Sequence, residues 1–547
     1  MTLLCARDLS VSIGGAPIIA NVTLDVNPGE ILALVGESGS GKSTTVLAML
    51  DLLPPGARMS GSVTLNGVSL PIGDDQAMCA IRGKEIGFVS QEPMTALNPL
   101  MTIGDQVAET LRQHCGFGRK EAHAHAAAAL ERVAMPVDRF PLSRYPHEIS
   151  GGQRQRVAIA MALAASPKVL LADEPTTALD VTTQAKVLEL LKSFVAEQNM
   201  GLVLVTHDLG VVAEVADRVA IMQAGSIVEQ GPALEIFREI KHPYSRKLMD
   251  ATRHMPVRAT GPARGEPPVL IAEKIVRRYP GARRGFFGRE PDHVAVNGVD
   301  VELARGETLA IVGESGSGKS TLLRTLLALD KPQSGTVRIK GSPFDAALAP
   351  RELRKSRQEI QAVFQDPYGS FDPRWRVERI VAEPLALAEH SVSAEERRRR
   401  VAAALERVGL KSSDGERFPH EFSGGQRQRI AIARALIVEP SIMALDEAVS
   451  ALDVSVRAQI LDLLASLADD TGMAYVFVTH DLSVVRAIAD RVLVMRGGEM
   501  VEQGTARQIF DAPAHTYTRE LIAATPIIET ALQKRAEQKN QAKEQDQ

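Results

Sequence analysis

Cysteine is scarce in this chain. Its 547 residues include three, Cys5, Cys79 and Cys115, and their spacing offers no pair. That excludes a disulfide framework and gives no zinc or iron–sulfur pattern. Long apolar runs are also missing: none reaches the roughly 18 residues that a membrane helix needs. The opening "MTLLCARDLS" lacks a basic stretch followed by an apolar core, so it does not read as a secretory signal. Nor does one sign of charge prevail. With 63 Lys and Arg against 67 Asp and Glu the net charge is −4, so no global basic field argues for nucleic acid as a partner. The one dense basic run, "EERRRR" (Glu395 to Arg400), reads as a solvated helix face with Glu395–Arg399 and Glu396–Arg400 at i,i+4 spacing. These absences point to a cytosolic chain that does not itself span a membrane but can dock on something that does.

What is present is a repeat. "HEISGGQRQRVAIA" begins at His147 and "HEFSGGQRQRIAIA" at His420. Their serines, Ser150 and Ser423, are 273 residues apart (423 − 150). "LVGESGSGKST" (Leu34 to Thr44) returns as "IVGESGSGKST" (Ile311 to Thr321), offset by 277 (313 − 36). "VTHDL" starts at Val205 and Val478, and "ALD" ends at Asp180 and Asp453, both again 273 apart. Four landmarks in one order at nearly constant offset mean two homologous domains in tandem, and the period is far too long for a solenoid. The expected limits are 1–253 for the first domain, 254–268 for a linker rich in Pro, Gly and Arg, 269–530 for the second domain, and 531–547 for a polar tail, either a frayed helix or disordered.

"EILALVG" and "ETLAIVG" are short apolar strands feeding a glycine loop. "KVLLADE" and "SIMALDE" end in two acids; "GLVLVTHD" and "AYVFVTHD" end in His-Asp. Continuous apolar strands alternating with helices imply an α/β fold with a mainly parallel sheet buried on both faces. Ligands bind such sheets where the strands end. Gly36, Glu37, Ser38, Gly39, Ser40, Gly41, Lys42, Ser43 and Thr44 match a phosphate-binding loop, as do Gly313, Glu314, Ser315, Gly316, Ser317, Gly318, Lys319, Ser320 and Thr321. Successive backbone N–H groups form a nest for phosphate oxygens, and the following helix adds the positive end of its dipole. Lys42 and Lys319 are expected to reach the β- and γ-phosphates, and Ser43 and Ser320 to bind Mg²⁺. An acid pair at a strand end is usually a solvated turn. Behind a phosphate loop, Asp173 and Asp446 read as Mg²⁺ holders, and Glu174 and Glu447 as groups that accept a proton from, or orient, the attacking water. A lone histidine at a strand end is more often structural, but at this spacing His207 and His480 read as γ-phosphate contacts. Gln91 and Gln365 are weak signals alone; an amide there can touch both Mg²⁺ and water.

Together these residues resemble an ATP-binding cassette, twice over nearly the whole chain. The resemblance implies two tandem P-loop cassettes, each a RecA-like parallel-sheet core with an antiparallel β part and a helical subdomain (92–148 and 366–421). In that family two cassettes pair head to tail. Ser150, Gly151, Gly152 and Gln153 would then complete the site built on Lys319, and Ser423, Gly424, Gly425 and Gln426 the site built on Lys42. Asp180 and Asp453 match the loop that couples the sites. No element is missing from either set, which implies two hydrolytically competent ATP sites.

Two departures stand out. The family stacks adenine on an upstream aromatic; Tyr279 fits that place in the second half, whereas the first half offers Ile13, which cannot stack as a ring does. "DEAVSALD" replaces "DEPTTALD" but keeps both acids. The Ile13–Tyr279 offset of 266 leaves eleven extra residues (277 − 266) within "GARRGFFGREPDH", whose Phe286 and Phe287 read as part of a surface loop. "SQEPMTALNPLMTIGDQV", "FQDPYGSFDPRWRV", "HPYSRKLM" and "HTYTRELIAATP" resemble the ATPase subunits of bacterial peptide importers, the dipeptide, oligopeptide and nickel group, in a fused Yej-type or glutathione-type form. That likeness implies two transmembrane permease subunits and an extracytoplasmic substrate-binding protein as partners, and a peripheral place on the cytoplasmic face of the inner membrane. Residues 242–270 hold no cysteine, so the iron–sulfur segment of some members is not expected.

Overall fold

A computed structural model describes residues 2–545 apart from 92–95, 177–178, 260, 264, 282, 285–287, 290, 368, 388–392 and 451. It divides into two compact units. One comprises Met1–Thr252 with Pro526–Gln547, the other Arg253–Thr525.

Each unit is built on a six-stranded sheet. In the first its order is Ser226–Pro232, Arg218–Gln223, Ile31–Val35, Gly201–Thr206, Val169–Asp173 and Ile86–Val89. All neighbours are parallel except the outermost pair, Ser226–Pro232 with Arg218–Gln223. The second unit repeats this with Glu499–Thr505, Arg491–Arg496, Thr308–Val312, Ala474–Val478, Ile442–Asp446 and Ile360–Val363. The apolar runs are continuous because both faces of the sheet are covered. Ile31, Ala33 and Val35 point into one core, Leu32 and Leu34 into the other. In the second unit Met443 and Leu445 lie in one core and Ile442 and Ala444 in the other. Period-two geometry thus splits one strand between two cores. Each fully buried Val or Leu in it contributes roughly 1.5–3 kcal/mol.

A four-stranded antiparallel sheet covers one side. It pairs Ala16–Val26, Leu4–Ile13, Ala57–Leu65 and Val68–Ser69 in the first unit, and His293–Leu303, Leu270–Tyr279, Ser334–Ile339 and Ser342–Pro343 in the second. The helical part holds Ile103–Cys115 and Arg119–Arg132 in the first unit, and Val377–Ala382 and Ala394–Arg407 in the second. In the last of these Arg400 pairs with Glu396 at 2.8 Å, as its spacing predicts. Arg399 also turns to Glu396, at i,i+3, so the expected Glu395–Arg399 pair gives way to a shared carboxylate.

The boundaries differ from the sequence reading in two places. The tail is helical, the first of its two expected states, within Ile528–Gln545, but it belongs to the first unit. Ile528 and Ala531 enter that unit's main core, and Arg535 donates to the carbonyls of Ala213 and Ala216 and pairs with Asp217 at 3.5 Å. Gly210 is glycine because the chain at Pro526 crosses it: a Cβ there would strike the Pro526 carbonyl. Polar composition hid three apolar or amphipathic anchors spaced along one helix face. The supposed linker is likewise pinned, to the second unit: Arg258 pairs with Asp490 at 2.7 Å, and the Ala259 N–H donates to Asp469 at 2.7 Å. Within the extra residues of the second half, Arg283–Arg284 pairs with Gly288–Arg289; Phe286 and Phe287 lie outside the described residues.

Candidate nucleotide site

The two loops have one construction. Strand Ile31–Val35 runs into Gly36, and helix Lys42–Met49 leaves from Gly41, whose φ of 102° only glycine adopts without strain. Gly318, with φ 101°, does the same before helix Lys319–Leu326. At Gly36 the constraint is space, and at Gly313 it is space together with a φ of 151°: a Cβ would strike the carbonyl of Met222 or Met495 near the end of the neighbouring strand. The loop lysines are buried, and each lies over its own loop. Lys42 Nζ donates to the carbonyls of Gly36 at 2.8 Å and Glu37 at 2.9 Å; Lys319 Nζ donates to those of Gly313 and Glu314, both at 2.8 Å.

The acids stand beside the loops. Asp173 and Asp446 end their strands, and each has one buried carboxylate oxygen with no hydrogen-bond partner among the described residues. Burial pushes Asp173 upward and Glu174 adds to it, while the Ser43 hydroxyl and Lys42 pull it back. Burial and then Glu447 push Asp446 up to about 6, against Lys319 and Arg324. At Asp173 an orphaned carboxylate oxygen, expensive to bury, beside the Ser43 hydroxyl is a donor set that suits a hard cation.

Glu174 and Glu447 follow with φ of 47° and 48°, a left-handed backbone that costs a non-glycine residue about 1 kcal/mol or more. Both N–H groups are tied across the sheet, to Val205 and Val478. Both side chains meet the histidines. Glu174 Oε1 lies 3.2 Å from His207 Nδ1, and Glu447 Oε1 lies 3.1 Å from His480 Nδ1. Burial alone would raise Glu447, but His480 and Lys319 hold it below the usual carboxylate range; burial alone would lower His480, but Glu447 and Asp481 raise it. Gln91 Nε2 donates to Glu174 at 3.0 Å. Gln365 is exposed and makes no such bond to Glu447 among the described residues. The structure therefore links acid pair, histidine and glutamine beside the loop in the first unit; the second repeats these contacts except the one from glutamine to glutamate.

The signature segments cap helices. Ser150 accepts from the Gln153 N–H at 3.4 Å while Gln153 accepts from the Ser150 N–H at 3.0 Å; Ser423 and Gln426 repeat this reciprocal cap at 3.3 and 3.0 Å. The two glycines differ in their reason. A Cβ at Gly151 or Gly424 meets open space, whereas one at Gly152 would press on Thr183 Cγ2 at 2.8 Å and one at Gly425 would strike Val456. The first glycine leaves the helix N-terminus unobstructed. The second lets that helix pack against the one that starts after Asp180 or Asp453.

Ile13 and Tyr279 occupy one register: each is the last residue of the first strand of its antiparallel sheet. The Tyr279 hydroxyl donates to Asp330 at 2.9 Å, and the Arg277 guanidinium stands 4.6 Å from its ring. Motif reading missed Tyr244 and Tyr517, whose hydroxyls accept the N–H of Glu37 at 3.1 Å and of Glu314 at 3.0 Å. Their segments, "HPYSRKLM" and "HTYTRELIAATP", were visible as a repeat, but nothing in their composition says that they reach the loops.

A family described as "ABC transporter" matches residues 19–177 and 296–450, the stretches that carry these loops, signatures and acid pairs. This chain belongs to the ABC transporter family. Its two cassettes are the ATPase part of a transporter. A second family, "Oligopeptide/dipeptide transporter, C-terminal region", matches twice, at 228–276 and 501–547. Similar proteins include the glutathione import ATP-binding protein of Salmonella paratyphi A, 46% identical over 93% of this chain and 87% of that protein. The peptidoglycan transport ATP-binding protein of Agrobacterium fabrum is 46% identical over 96% of this chain and 97% of its own length. No helix among the described residues is long and apolar enough to cross a membrane.

Proposed function

We propose that this chain powers the uptake of peptides or small peptide-like compounds by binding and hydrolysing MgATP at two composite sites. The observation that carries the reading is duplication without decay: both halves keep the loop, the acid pair, the histidine and the signature. Two matches to the oligopeptide/dipeptide C-terminal region, and relatives that serve glutathione import and peptidoglycan transport, support the substrate class.

In each site the loop N–H groups cradle the phosphates, and the lysine leaves its loop carbonyls for the β- and γ-oxygens. Ser43 with Asp173, and Ser320 with Asp446, would hold Mg²⁺, helped by Gln91 and Gln365; the ion supplies positive charge against the phosphate oxygens. Glu174 or Glu447 accepts a proton as water attacks the γ-phosphorus, and the bond from that phosphorus to the bridging oxygen of ADP breaks. His207 or His480 releases the glutamate and turns to the γ-phosphate. Ser423 to Gln426 complete the site on Lys42, and Ser150 to Gln153 the site on Lys319, each offering a helix N-terminus to phosphate. ATP binding closes the cassettes and hydrolysis lets them part. That cycle drives two permease subunits to which the chain docks on the cytoplasmic face of the inner membrane. An extracytoplasmic binding protein selects the substrate. No iron–sulfur cluster is proposed.

The rival reading is a soluble tandem cassette that works on ribosomes. Affinity purification of the full chain from membranes in mild detergent separates them: recovery of two permease proteins supports the importer, and recovery of ribosomes instead overturns it. A ligand screen on the substrate-binding protein of the same complex then identifies the cargo.

A further inference from the structure

We propose that Tyr244 and Tyr517 are positioning residues for ATP binding: each hydroxyl locks one peptide group of its phosphate loop, on the side opposite the loop lysine. The Glu37 N–H donates to Tyr244 Oη at 3.1 Å, and the carbonyl of the same peptide group, that of Gly36, accepts Lys42 Nζ at 2.8 Å. The second unit repeats the clamp, with Glu314 N–H to Tyr517 Oη at 3.0 Å and Gly313 carbonyl to Lys319 Nζ at 2.8 Å. Both rings are buried, Tyr517 to 1% exposure. Turning either peptide over would break two hydrogen bonds at once.

Each tyrosine is itself held by its C-terminal region. Its N–H donates to a histidine two residues earlier, Tyr244 to His242 Nδ1 at 3.2 Å and Tyr517 to His515 Nδ1 at 3.1 Å. The histidine N–H donates to a carboxylate on the outermost strand, Glu229 at 3.2 Å or Glu502 at 3.1 Å. The same carboxylate takes the preceding N–H, of Lys241 or Ala514. The chain Glu–His–Tyr–loop therefore occurs twice, although the surroundings differ: Arg496 stands 4.7 Å from the Tyr517 ring, and the first unit has Gln223 at the matching strand end. This gives a local task to the region that follows each cassette.

The clamp matters most when the site fills. As phosphate draws the lysine away, the Gly36 or Gly313 carbonyl loses that partner, and the tyrosine hydroxyl is what still opposes a flip of the peptide. Its effect is on nucleotide affinity, not on the chemical step. The inference rests on the ATP-site reading above.

The test uses the full chain with Tyr244→Phe, Tyr517→Phe and both together, which remove the hydroxyls and keep the rings. MgATP affinity is measured by equilibrium titration, and KM and kcat by steady-state hydrolysis. Melting temperature and hydrogen exchange of the Glu37 and Glu314 amides are followed in parallel. Loss of one hydrogen bond predicts a rise of about threefold to tenfold in dissociation constant and KM at each altered site. Values of kcat should stay within about twofold of wild type, and the amides should exchange faster. Wild-type affinity in the double variant overturns the proposal. So does a lowered melting temperature with affinity unchanged, or a fall in kcat at constant KM. A wild-type chain that binds no nucleotide overturns the ATP-site reading and this inference together; normal wild-type binding with an unaffected double variant overturns this inference alone.

Discussion

The two cassettes differ little at the groups proposed for chemistry and plainly at the position proposed for the nucleotide base. Lys42 and Lys319, the strained Glu174 and Glu447, and His207 and His480 superimpose in role down to hydrogen bonds that agree within 0.1 Å. Against that, the first unit places Ile13 where the second places Tyr279, with Asp330 on the ring's hydroxyl and Arg277 beside its face. The glutamine contacts differ too, since Gln91 reaches Glu174 and Gln365 does not reach its counterpart. Phosphate chemistry depends on a few atoms at fixed positions, so both copies must keep them. At the proposed base position recognition would be additive contact area, so one copy could do with less.

The largest expected effect tests whether both chemical centres count. Glu174→Gln and Glu447→Gln, made separately, should each lower ATP turnover by about 100-fold or more, since each removes a positioned base. A single variant that keeps full turnover and transport would show that its site is dispensable and that the twins are not equivalent. The next effect tests which half serves which site. Ser423→Arg places a bulky cation on an exposed helix N-terminus. It should weaken photo-crosslinking of an azido-nucleotide to the Lys42 loop by about tenfold, through clash and charge at the dipole's positive end, and spare the Lys319 loop. Loss at the Lys319 loop instead would reverse the proposed pairing.

A smaller effect sharpens the difference at the base. Tyr279→Ala should weaken MgATP binding at the second site by about fivefold to tenfold, in line with the loss of a stacked base. Ile13→Tyr should raise the ATP-over-GTP preference of the first. Equal ATP-versus-GTP preference at the two sites of the wild-type chain would dismiss the asymmetry. The smallest effect concerns the units themselves. Arg535→Ala removes a half-buried guanidinium from the carbonyls of Ala213 and Ala216 and should destabilise the first unit by about 1–3 kcal/mol. Hydrogen exchange should quicken around 209–217 and stay unchanged in the second unit.

The loops, acid pairs and signatures were legible because each is a run of neighbours in sequence whose chemistry needs no distant partner to be recognised. The tail was not. Its 18-residue helix is polar on average, and only the groove left by residues 209–217 of the other half of the sequence shows why Ile528, Ala531 and Arg535 are where they are. Nor does the motif itself reveal why its second glycine is needed: close packing on Thr183 or Val456 requires it.

From sequence alone came the duplication, the parallel α/β class, and the identity of nearly every residue proposed to touch nucleotide or metal. These rest on period, spacing and side-chain chemistry, which are local properties. Tertiary structure alone decided that the C-terminal helix belongs to the first unit and that the glutamates sit on a strained backbone tied across the sheet. It alone brought two tyrosines, each more than 200 residues after its loop, to hold that loop's first peptide. Those are contacts between segments far apart in the chain, fixed by burial and hydrogen bonding that no local pattern encodes.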